Sequence, residues 1–357
     1  MARLILLVLI ASALDSCRGK ESGRQSTPTA PGPALGLVSE AMEAGTFTIS
    51  GTRLLDYTGK PFLIRGINNL HAYYADRAYQ ALDAIKSMGF NTVRIIWCAD
   101  NLTRGGRCDD KDIHPLAELQ RILEALRSRG LVAILALQNA TGSDDPEHLR
   151  ALVEWYGRED VKTLLNAYQD MLIINVANEW FASWGDPEQV YLKTYQQEIL
   201  RMRAMGLRHV LMIDAAGWGQ QVSSIATHYK DLLATDPNLL FSAHMYEVFA
   251  SPEKVGGDFN TAGDGGIPFV VGEFACNHRA GQAVACEEIM GQSSPSNHAV
   301  GYLGWSYSGN SEDLSQLDVT KSDDWQTVTP WGATLLDDPH GIRATARPAC
   351  FFPDSGC

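Results

Sequence analysis

The sequence predicts an α/β fold, a (β/α)8 barrel with a short N-terminal β-hairpin over its bottom, on three observations. Eight short runs rich in Val, Ile and Leu recur along the chain beyond residue 60, and near-continuous apolar runs suit parallel strands buried on both faces. Amphipathic stretches separate the runs, and several stop at a glycine. No Gly-rich phosphate loop follows the first run, which sets aside the doubly wound sheet, the other common parallel architecture.

Taken in order, the chain opens with a positive start, Met1-Ala2-Arg3, an apolar stretch from Leu4 to Leu14, and then Asp15-Ser16-Cys17. That stretch is too short for a permanent membrane span and reads as a signal peptide over 1–17. A small residue before a cysteine resembles a bacterial lipoprotein box with Cys17 as the lipidated residue, although Asp15 is an awkward member. The alternative is a plain secretory signal cut nearby. Residues 18–44 are rich in Ser, Thr, Pro and Gly, a composition that cannot form a core and reads as a flexible tether. The predicted catalytic domain covers 45–357. It begins with FTISGTRLLDYTGKPF, two strand-like pieces around turn residues.

The eight runs are PFLIRGIN (61–68), NTVRIIWC (91–98), VAILALQ (132–138), LIINVANE (172–179), HVLMIDAA (209–216), LLFSAHMY (239–246), PFVVGEFA (268–275) and GYLGWSYS (301–308). Between the second and third, Leu116, Leu119, Ile122, Leu123 and Leu126 fall on one helical face that stops at Gly130. YQALDAIKSMG ends likewise at Gly89, and EQVYLKTYQQEILRMRAMG at Gly206.

Composition narrows the function. Lys and Arg number 29 against 42 Asp and Glu, a net charge of −13, and there is no clustered basic stripe, so nucleic acid is excluded as partner. HExxH, CxxC, GxxxxGK[ST] and GxSxG are all absent, and the nine histidines show no pair at ligand spacing; no metal or other cofactor is expected. Of the seven cysteines, all but Cys17 fall into sequence-local pairs, Cys98 with Cys108, Cys276 with Cys286 and Cys350 with Cys357. Disulfides suit an exported protein; the alternative is free buried thiols.

The chemistry is expected where strands end, at the C-terminal face of the barrel. Two glutamates, Glu179 and Glu273, close apolar runs there. A buried carboxylate is costly unless paired, and two of them meeting at one opening are the minimum apparatus for glycosidic cleavage, one to donate a proton and one to attack carbon or activate water. The other run ends contribute Asn68, Arg94, Trp97, Gln138, Asn178, Trp218, His244, Tyr246 and Trp305, a polar ring with aromatic walls of the kind that binds sugars. Arg94 and Tyr246 are placed to keep Glu273 ionised and oriented, and Asn178 to hold a sugar 2-hydroxyl. Singly, each has a plain structural explanation. Together, at successive run ends, they define one site.

These residues resemble glycoside hydrolase family 5, through RGIN (65–68), GFNTVRI (89–95), the Asn178-Glu179 pair, SAHMY (242–246), VVGEF (270–274) and GYLGWSYSGN (301–310). The resemblance implies a metal-free (β/α)8 enzyme that cleaves β-linked polysaccharides with retention, with Glu179 matching the acid/base and Glu273 the nucleophile. Arg94, Asn178, His244, Tyr246 and Trp305 match positions around the cleavage-point sugar. DAAGWGQ (214–220) and the WGATLLDDPHGIRATA tail (331–346) are most similar to bacterial endo-β-1,4-mannanases. Gln138-Asn139 departs from the His-Asp of that group, and Trp180 stands where proline is usual, as a stacking wall or as packing. The expectation is therefore a monomeric, secreted or membrane-tethered β-mannanase on the outer face of a bacterial membrane. A β-1,4-glucanase is the alternative, and a catalytically weak carbohydrate-binding protein a further one.

Overall fold

The computed structural model describes residues 45–102, 106–186, 188–353 and 355–357. The predicted signal peptide, Cys17 and the 18–44 tether lie outside the described residues.

The hairpin forms first, from β1 (Thr48–Ser50) and β2 (Arg53–Leu55), antiparallel with Ile49 opposite Leu54. Eight parallel strands follow: β3 (Arg65–Asn69), β4 (Thr92–Trp97), β5 (Val132–Leu137), β6 (Leu172–Asn175), β7 (Leu211–Asp214), β8 (Leu239–Met245), β9 (Phe269–Phe274) and β10 (Gly301–Gly304). Each bonds to the next and β10 returns to β3, closing the barrel. Every residue of these eight strands is buried, as expected when side chains fill the barrel on one face and meet helices on the other. The Ile49 amide donates to Asn238 Oδ1 at 2.9 Å, directly before β8 starts. The hairpin therefore sits at the strand-start end, opposite the strand ends where the cleft opens.

The helix at Leu116–Ser128 shows what holds the outer layer. Leu119, Ile122, Leu123 and Leu126 are buried, while Leu116 is only partly so. Its N-cap, Pro115, makes no side-chain cap bond. Burying each aliphatic side chain contributes about 1.5–3 kcal/mol, against about 1 kcal/mol for a good cap, so packing of the apolar face decides. The chain leaves this helix through Gly130 (φ 62°) and the Val190–Ala204 helix through Gly206 (φ 90°), left-handed positions that favour glycine. Among the described residues no helix is long and apolar enough to cross a membrane.

The strands are shorter than the runs that predict them, and one difference bears on the site. Glu273 lies within β9, but Glu179 is four positions beyond the last residue of β6. The chain between still bonds to both neighbouring strands, Val176 N–H to Met212 O at 3.0 Å and Asn178 N–H to Leu137 O at 2.9 Å. It then turns sharply at Glu179, whose φ is 45°.

Candidate active site

Gln138, Asn178, Glu179, Tyr246, Glu273 and Trp305 line one open hollow at the strand ends, together with Tyr73, Thr141 and His278. At its floor a carboxylate oxygen of Glu179, one of Glu273 and a ring nitrogen of His244 all lie within 4.8 Å of one another.

Strand register brings Glu273 to its partners. His244 and Glu273 are paired across β8 and β9, and Asn68 and Arg94 across β3 and β4. Glu273 accepts from Arg94 Nη1 at 2.7 Å and from the Tyr246 hydroxyl at 2.7 Å, and lies 3.5 Å from His244 Nδ1. Burial pushes its carboxyl above the usual carboxylate range, while the cations of His244 and Arg94 and the Tyr246 hydrogen bond work against that push. Burial and the nearby carboxylates keep the Tyr246 phenol protonated, well above its ordinary pKa, so it stays a donor. Arg94 is fully buried and spends its other N–H groups on Asn175 Oδ1, Asn68 Oδ1 and Asn178 Oδ1 at 2.6–3.1 Å. A guanidinium fork so occupied has one orientation.

Glu179 is fixed through its backbone. Its N–H donates to Asp214 Oδ2 at 3.0 Å, and its carbonyl accepts from Gly142 N–H at 3.0 Å. These bonds hold a left-handed conformation that a non-glycine residue adopts at a cost, the kind of strain that collects at functional sites. Its Oε1 lies 2.9 Å from His244 Nδ1. Asp214 itself ends β7, is fully buried, and stands 3.4 Å from His244 Nε2 and 3.8 Å from Arg94 Nη2. Burial alone would raise its pKa; His244, Arg94 and the Glu179 amide overcome that and hold it at about 2. For His244, burial opposes the charge, but the carboxylates of Glu273 and Asp214, and the ring N–H groups directed at Asp214 and Glu179, raise it to about 10. The ring is therefore an imidazolium at neutral pH.

That charge predicts a pH dependence. A histidine whose folded pKa lies above its unfolded value contributes stability that is fully present below about pH 6.5 and lost as pH rises toward about 10. Denaturant unfolding of the wild type should lose several kcal/mol across that window, and His244→Asn should flatten the slope. Equal slopes would show that His244 is neutral.

Several of the expected sugar contacts do not line the open hollow. Trp97 is 1% exposed and packs in the core against His114; three positions from Arg94 on a strand, it points to the opposite face. Asn68 is fully buried, donating to the Gly272 and Gly304 carbonyls and accepting from Arg94, so it braces the guanidinium. Arg94 and His244 likewise contact the carboxylates from below, both fully buried. Trp218 is exposed, yet stands outside the hollow. Trp180 is fully buried, donating to the Asp145 carbonyl and stacking on Tyr191, so it packs. Asn139 exchanges bonds with the Ala99 backbone. Gln138 remains at the hollow, and its buried Nε2 has no hydrogen-bond partner. Trp305 Nε1 donates to Asn310 Oδ1, and Asn310 to Asp318 Oδ1, which fixes the indole.

The three local disulfides are formed, Cys98–Cys108, Cys276–Cys286 and Cys350–Cys357. Residues that the sequence reading missed include Asp214, which carried the same signal as the glutamates, a carboxylate closing an apolar run, and Asn175, whose role depends wholly on Arg94.

Known proteins resemble this chain in sequence and in fold. The family described as cellulase (glycosyl hydrolase family 5) matches residues 55–311. The mannan endo-1,4-beta-mannosidase of Salipaludibacillus agaradhaerens is 36% identical over 319 residues, 86% of this chain and 96% of that protein. A protein of the same name from Cellvibrio japonicus (strain Ueda107) is 35% identical over 330 residues, 90% of this chain and 73% of that one. Among solved structures, the mannohexaose complex of Thermomonospora fusca beta-mannanase superposes with a TM-score of 0.76 at 27% identity, covering 87% of this chain and 100% of that one.

Proposed function

Because the chain belongs to glycosyl hydrolase family 5, we propose that its cleft hydrolyses internal β-1,4 linkages of mannan, with retention, by double displacement. The observation that carries the mechanism is the carboxylate spacing within 4.8 Å. It lies beside the roughly 5–5.5 Å of retaining enzymes and well short of the roughly 6.5–9.5 Å that inverting enzymes need to seat a water.

In the first step Glu273 attacks the anomeric carbon, the glycosidic C–O bond breaks, and the Glu179 proton passes to the leaving oxygen. In the second, Glu179 takes a proton from water, the water oxygen attacks the same carbon, and Glu273 leaves as carboxylate. Arg94, His244 and Tyr246 keep Glu273 charged and aimed. Trp305 offers an aromatic face to the sugar. The free Nε2 of Gln138 is a buried donor that a sugar hydroxyl would satisfy. Asn178 gives one amide proton to Thr141 Oγ1 at 3.0 Å and keeps a second for a hydroxyl.

The mannan preference rests on the named activity of the relatives. Reducing-sugar release from galactomannan, glucomannan, cellulose and xylan tests it, with mannans expected to be cleaved fastest. Faster turnover of cellulose would assign the chain to the glucanases instead. Export of the enzyme is part of the same proposal. It is supported by the Met1–Cys17 segment and by three disulfides, which persist in oxidising compartments. Lipidation at Cys17 would tether it to the membrane surface.

A further inference from the structure

Asp318 is a carboxylate buried near the cleft but outside the hollow, only 1% exposed. No cation pairs with it among the described residues, and its Oδ2 is buried there without a hydrogen-bond partner. Burial pushes the carboxyl up to about 6, although the Asn310 amides and the Gly309 backbone work against that push. At neutral pH the fold therefore keeps a charge that it would be more stable without.

The other oxygen of Asp318 serves a single residue. Oδ1 accepts from the Asn310 backbone N–H at 3.1 Å and from Asn310 Nδ2 at 2.7 Å. The far end of that amide, Asn310 Oδ1, accepts from Trp305 Nε1 at 3.1 Å. An indole N–H only donates and an ionised carboxylate only accepts, so the amide between them has one sense. Ser306 Oγ also meets Asn310 Nδ2, at 3.0 Å, but a hydroxyl donates as readily as it accepts. Asn310 lines the hollow, where water competes for its amide. The carboxylate itself is placed by other bonds. Leu317 O accepts from Ser306 N–H and Ser306 O from Val319 N–H, both at 2.9 Å, and Asp318 O accepts from Thr329 Oγ1 at 2.6 Å. Truncating the Asp318 side chain leaves this backbone frame standing.

We propose that Asp318 is a positioning residue that, through Asn310, holds the Trp305 indole at the angle the sugar needs for reaction. This rests on the reading of Trp305 as an aromatic face for the sugar. Without the carboxylate, Asn310 loses the anchor on both its backbone and its side chain and keeps only Ser306. An indole free to rock still binds the sugar. It no longer presents the anomeric carbon to Glu273 at one angle, so the effect falls on turnover more than on KM.

A double-mutant cycle on mannan turnover tests this, with the folded fraction of each variant read from urea unfolding. Asp318→Ala lowers kcat by at least about fivefold and leaves KM within about twofold. Asp318→Asn, whose side-chain carbonyl can still accept from Asn310, stays within about twofold of wild type. Trp305→Phe keeps an aromatic face but has no N–H for Asn310 to hold, and in that background Asp318→Ala costs less than about a further twofold. An equal loss in both backgrounds overturns the proposal, because Asp318 would then act on the fold at large. A loss below twofold in the wild-type background overturns it as well. Trp305→Ala checks the underlying reading separately: turnover within twofold of wild type would remove Trp305 from the sugar, and the role of Asp318 with it.

Discussion

Replacing Glu273 with glutamine should abolish mannan turnover, lowering kcat by at least about 10⁴-fold, the scale seen when a covalent nucleophile is removed. Glutamine keeps the shape: its carbonyl oxygen can still accept from Arg94, and its amide nitrogen then faces the Tyr246 hydroxyl, which can turn to accept, so folding is preserved and the loss reports chemistry. Glu273→Ala should lose as much, and azide should restore part of it by attacking from the vacated face, giving the α-mannosyl azide. Glu179→Ala should behave differently. It should lose turnover of mannan, retain much of its rate on substrates whose leaving group needs no proton, and give the β-azide by way of the covalent intermediate. The configuration of the azide product therefore separates the two roles. Identical products from the two variants, or activity of Glu273→Gln within tenfold of wild type, would remove the assignment.

The second large effect is expected at Arg94. Substituting methionine leaves Glu273 and Asp214 buried without their shared guanidinium, and three asparagine side-chain oxygens without a donor. Removing one partner of a buried ion pair costs about 3–5 kcal/mol, so urea unfolding should show a loss of that order. Turnover should fall by about 100-fold or more in the fraction that stays folded, because Glu273 loses the cation that holds it ionised and oriented. Arg94→Lys should recover part of the stability and little of the rate, since an ammonium cannot reproduce the fork that reaches Glu273 on one side and Asn175 on the other. A fully active Arg94→Met variant would show that Glu273 is held by Tyr246 and His244 alone.

The barrel is legible in the sequence because parallel strands buried on both faces read as apolar runs, and because helices such as Leu116–Ser128 stop at glycines whose left-handed conformation marks the turn. The two glutamates are legible because a carboxylate closing such a run is costly without a purpose. The rest depends on register and facing, which a linear reading does not supply. Trp97 follows Arg94 by an odd number of positions, and so it faces the helices while Arg94 faces the axis. Asp214 closes its run as Glu273 does, but its importance lies in the Glu179 amide and the His244 ring, which come from other strands.

The disulfides carry a consequence for where the enzyme can work. Each closes a short loop, spanning 10, 10 and 7 residues, so each restrains its own loop more than the whole fold. Cys98 directly follows β4 and Cys276 lies two positions beyond β9, which places two of the three on the rim of the cleft, beside Arg107 and His278. A thiol-rich surrounding would therefore leave a folded barrel whose rim had come loose, with the carboxylates still in register but the substrate groove unshaped. The barrel and the edge of its groove thus answer to different conditions: strand pairing holds the one, and the redox state of four thiols fastens the other.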